Sequence, residues 1–84
     1  MSLYVVRHHL KQPIEETEVN TRQLLEVNRE FGVDWVRSYY TNDGTDALCV
    51  YEAPSAEVLR EHALCLGMPV EEVLPVIEVL PPRI

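Results

Sequence analysis

Leu3-Tyr4-Val5-Val6 opens the chain with apolar residues at every position. A strand there needs cover on both faces, so it is expected in the middle of a sheet. Pro13 falls in the loop that follows. From about Glu15 to Phe31 the pattern changes to a helical period, and Gly32 supplies its stop. Thr17, Asn20, Thr21, Leu24, Val27, Asn28 and Phe31 then share one face. That face is polar in its N-terminal half and apolar in its C-terminal half. Its inner end is expected to overhang a polar pocket.

Val33 to Thr41 is rich in β-branched and aromatic residues and reads as the second strand. Trp35 and Tyr39 fall on one side of it, Val36 and Tyr40 on the other. Asn42-Asp43-Gly44-Thr45 is hairpin chemistry, and Ala47 to Ala53 is the third strand. Ser55 caps a helix running to about Leu66, with Glu57 in its first turn. Gly67 and Pro69 end it. Val73 to Leu80 is the fourth strand, and Pro75 inside it predicts a sheet edge.

The order β-α-β-β-α-β with one hairpin is the ferredoxin-like plan. It predicts an α+β sandwich in a single domain over residues 1–84. A four-stranded antiparallel sheet of order 4-1-3-2 carries two helices on one face. The other face is left apolar, and packing against a second copy through that open sheet face is the simplest cover.

Charge and composition narrow the function. Seven basic residues against fourteen acidic give a net charge of −7, which argues against nucleic acid and against an anionic membrane surface. No apolar run approaches the roughly 18–20 residues of a membrane span, and the start lacks signal-peptide character. The two cysteines make no disulfide framework, so a cytoplasmic setting is expected.

His62 lies between Leu59 and Leu66 on the helix stripe that faces the sheet. It is either a core histidine held by hydrogen bonds or a ligand or general base in a pocket. Cys49, in a central strand, is either a small buried hydrophobe or a thiol activated by a neighbouring cation or metal. Cys65 lies near the edge of the stripe. His8 and His9 end the first strand, where adjacent side chains point to opposite faces. Each can join a separate site. Glu15-Glu16 and Glu71-Glu72 read as solvated charges. There is no CxxC or HxxxH spacing, phosphate loop or serine elbow.

Trp35-Val36-x-Ser38-Tyr39-x-Thr41-x-Asp43, Cys49-Val50-Tyr51-x-Ala53-Pro54-x-x-Glu57, Arg60-Glu61-His62-Ala63 and Gly67-x-Pro69 together resemble a family of small bacterial domains of unknown function. Some of its members are nickel-responsive or nickel-binding. The resemblance implies a ferredoxin-like fold and a homodimer. His8-His9 resembles a His-His pair at the end of strand one in the nickel-binding branch.

Two functions follow as expectations, beside a third reading as a purely structural or interaction module. The first is a metal-binding or metal-responsive protein, in which neutral imidazole from His8, His9 or His62 ligates a divalent ion such as nickel. The second is a small-molecule-binding protein or cofactor-free enzyme using the cavity between helices and sheet. There His62 is the general base, with Asn20, Asn28, Tyr39, Cys49 and Tyr51 around it.

Overall fold

A computed structural model describes residues 1–9 and 18–83, with side chains described from residue 21 onward in the first helix. The elements are β1 (Ser2–His9), α1 (Glu18–Phe31), β2 (Asp34–Tyr40), β3 (Asp46–Ala53), α2 (Ala56–Leu66) and β4 (Glu72–Val76). The strand order β2-β3-β1-β4 is the expected 4-1-3-2 sheet read from its other edge, and every pairing is antiparallel. This is the ferredoxin-like arrangement. Pro13, Glu15, Glu16 and Thr17 lie outside the described residues. Among the described residues no helix is long and apolar enough to cross a membrane.

Local chemistry accounts for where the helices stop. Ser55 is extended, and its Oγ accepts from the Val58 N–H at 3.2 Å. Gly67 adopts φ 69°, a left-handed conformation that costs a residue without Cβ little. The Gly67 and Met68 N–H groups then return to the Leu64 and Ala63 carbonyls at 3.1 and 3.0 Å. Gly32 ends α1 in the same backbone region. In the β2–β3 turn, the Asp43 carboxylate accepts from Thr41 Oγ1 at 2.6 Å, Thr45 N at 3.0 Å and Thr45 Oγ1 at 2.8 Å. These bonds, that from Thr41 first, hold its pKa down at about 2.

Alternation along the strands divides the sheet. Tyr4, Val6 and His8 of β1, Ala47, Cys49, Tyr51 and Ala53 of β3, and Val73 of β4 face the helices. With Leu59 of α2 and Val33, they build the core. The opposite face carries Leu3, Val5, Leu48, Val50, Leu74 and Val76. Leu48 there is 42% exposed.

Two expectations need correction. In β2 the register shifts between Trp35 and Arg37. Val36 is the extra residue of a bulge, so the alternation reverses across it. Trp35 pairs with Tyr51, Ser38 with Cys49 and Tyr40 with Ala47, all toward the helices, while Tyr39 pairs with Leu48 on the open face. Trp35 and Tyr39 therefore lie on opposite faces, not together. The fourth strand also ends at Val76 rather than Leu80, because Val76 pairs with Leu3 and β1 itself begins at Ser2. A strand at an edge ends where its partner does. That β4 is an edge agrees with Pro75.

Candidate functional site

Three elements bring polar side chains together beneath the helices. His62 is 2% exposed on the inner stripe of α2. Its Nε2–H donates to Asn28 Oδ1 of α1 at 2.5 Å. Two rings flank it edge-on: Phe31, with centroids 5.8 Å apart, and Tyr51, at 5.4 Å. His8 reaches the same region from β1 and is also 2% exposed. Its Nδ1–H donates to the Pro69 carbonyl at 2.9 Å. A proline two residues past the α2 stop thus presents its carbonyl to the sheet.

Burial pushes the pKa of both imidazoles below 6.5. The His8 bond to Pro69 opposes the shift, and the charge of His8 adds to it at His62. Both are neutral at neutral pH. An imidazole that gives its single N–H to an oxygen keeps a lone pair on its other nitrogen. At His8 this is Nε2, at His62 it is Nδ1.

Cys49 and Tyr51 lie alongside on β3. The Cys49 thiol is buried, and its pKa is raised by that burial against hydrogen bonds from Ser38 and Tyr51. The Tyr51 phenol is pushed up as well, chiefly by burial. Both shifts favour the protonated forms near neutrality. Ser38 Oγ also accepts from Trp35 Nε1–H at 2.8 Å, which carries the polar chain out to the sheet edge.

His9 stands on the opposite face, as its position next to His8 requires. Its Nδ1–H donates to Asp46 Oδ1 at 2.7 Å, and Asp46 is its cross-strand partner in the β1–β3 ladder. The sequence-predicted residues thus separate. His8, Asn28, Cys49, Tyr51 and His62 converge inside, whereas His9 and Tyr39 face outward on the open sheet. Asn20 lies outside the described side chains. The three histidines cannot share one ion, and among the described residues no group of three or more His, Cys, Asp or Glu side chains could hold a metal. The sequence reading overlooked His8 as the neighbour of His62 and Asp46 as the partner of His9. The period-2 alternation from Val6 carried the first signal, whereas the second pairing has no local signal, since it depends on the register of β1 against β3.

Comparison with solved structures supports the fold. SCO4226 from Streptomyces coelicolor A3(2) is similar at a TM-score of 0.76, with 17% identity over 94% of this chain and 100% of that one. The chemotaxis kinase CheA P2 domain, in complex with response regulator CheY from Thermotoga maritima, is similar at 0.57, with 14% identity over 89% and 98% of the two chains. No curated protein matches by sequence. Residues 4–76 match the SCO4226-like family, described as nickel responsive protein SCO4226-like, and the chain belongs to that family.

Proposed function

We propose that this chain binds a divalent transition-metal ion of the nickel kind at His9, as a pair of copies joined through the open sheet face. The observation that carries the reading is the His9–Asp46 pair. Asp46 takes the Nδ1–H at 2.7 Å, which turns the Nε2 lone pair outward from an exposed residue. Imidazoles that ligate metals commonly give their other N–H to a carboxylate in this way, which fixes the ring and raises its basicity. Imidazole suits nickel. The description of the family as nickel responsive agrees with the choice of ion.

One imidazole does not hold an ion alone. The apolar open face, with Leu48, Leu74 and Tyr39 exposed, is a surface that a second copy would cover, and it lies on the same side as His9. A two-fold arrangement would contribute a second His9, oriented by its own Asp46, as a further ligand.

Native mass spectrometry with calorimetry on untagged protein tests the proposal. Saturable nickel binding by a dimer is expected. His9→Ala should weaken it at least about ten-fold, and Asp46→Asn by about ten-fold. Binding that His9→Ala leaves unchanged would refute it.

A further inference from the structure

Among the described side chains of α1, Asn28 alone is fully buried, at 4% exposure. Its Oδ1 is occupied by His62, but its Nδ2 has no hydrogen-bond partner among the described residues. Buried amide donors are seldom left this way, because water has been removed and nothing replaces it. Exchanging the amide ends does not help, since Oδ1 would then be the stranded atom. The His62 bond fixes the orientation and aims the two N–H groups away from the imidazole.

The surroundings point to a ligand. Leu24 and Val27 flank Asn28 along α1 and are only half-buried, and Phe31, half-buried as well, packs against the core and edge-on against His62. A buried polar group amid incompletely covered apolar walls is the usual make-up of a small-molecule site. The charge balance narrows the class. His8 and His62 contribute no fixed positive charge, and the chain carries −7 overall, which disfavours an anion. A cation finds no partner in an N–H donor. What fits is a neutral molecule whose oxygen accepts from Asn28.

We propose that the seam between α1, α2 and the sheet binds an uncharged, largely apolar molecule bearing a carbonyl oxygen, which accepts the Asn28 Nδ2–H. His62 is the positioning residue that orients the amide, and Leu24, Val27 and Phe31 grip the apolar body. This site lies on the face of the sheet opposite His9 and stands whether or not metal binds there.

Acetophenone is the probe, and ethylbenzene, close in shape but without the carbonyl, is the control. In the wild-type protein labelled with 15N, acetophenone should shift the Asn28 side-chain amide resonances saturably. Ethylbenzene should bind at least about ten-fold more weakly, the discrimination expected of one lost hydrogen bond to a buried donor. Asn28→Leu should bind the two compounds equally. The proposal is overturned if acetophenone leaves the Asn28 amide unmoved, or if the amide keeps a resident water at saturating acetophenone. It is equally overturned if the preference for acetophenone survives in a folded Asn28→Leu protein. The first two readouts need only the wild-type chain, so they stand even where the variant does not fold.

Discussion

Acidification should unfold this protein through its two interior imidazoles. His8 and His62 are each 2% exposed, and burial lowers the pKa of both. In the unfolded chain each titrates near 6.5. The folded values lie below the unfolded ones, so the unfolded state binds more protons as pH falls below about 6.5. Stability from this source is fully present above that pH and drains away as pH drops toward the folded values. While the unfolded histidines are protonated and the folded ones are not, each contributes about 1.4 kcal/mol per pH unit, and the pair about 2.7 kcal/mol. A small domain holds roughly 5–15 kcal/mol in total, so the loss draws on a narrow reserve. Asp43 acts in a separate, lower window, because its pKa of about 2 matters only below the ordinary carboxylate range of about 4. The assay is urea unfolding from pH 5 to 8, followed by Trp35 fluorescence. Trp35 is held by Ser38 and packs beside β3, so its emission reports the sheet. His8→Gln and His62→Gln should each remove about half of the pH slope. A double variant that keeps the wild-type slope between pH 7 and 5 would show that the reasoning is wrong.

Ser55→Ala removes the oxygen that caps α2 and should lower stability by about 1 kcal/mol, read from the urea midpoint. Leu48→Lys places a charge in the open apolar face. Light scattering at micromolar concentration should show a dimer for the wild type and a monomer for the variant, and equal masses for the two would count against that face as the interface.

The local signals in the sequence proved strong where one residue decides a conformation. Ser55, Gly32 and Gly67 marked helix boundaries because capping and a left-handed turn are properties of single residues. Pro75 marked an edge because its missing N–H is excluded from a central strand. The stripe Leu59, His62, Ala63 correctly placed His62 inside. Two kinds of fact were not legible. The Val36 bulge has no glycine to announce it, since it is set by how β2 meets β3. The end of β4 was fixed by the length of β1, a partner far away in sequence. The pairing of His8 with the Pro69 carbonyl has the same cause, as the two residues are 61 positions apart. His62 was identified, but its partner Asn28 was only one of several polar positions along the inner face of α1, and nothing in the sequence told which of them would be sealed in.

The two outer strands each break the regularity on which a neighbouring strand would dock. β4 carries Pro75, which has no N–H to offer, and β2 carries the bulge at Val36, which bends and twists the edge out of line. A sheet with a bare apolar face and two intact edges would be a template for fibre growth, since each added chain would present a new edge to the next. Both edges thus work against lateral addition, and that is the condition under which one face of a sheet can stay apolar without templating a fibre.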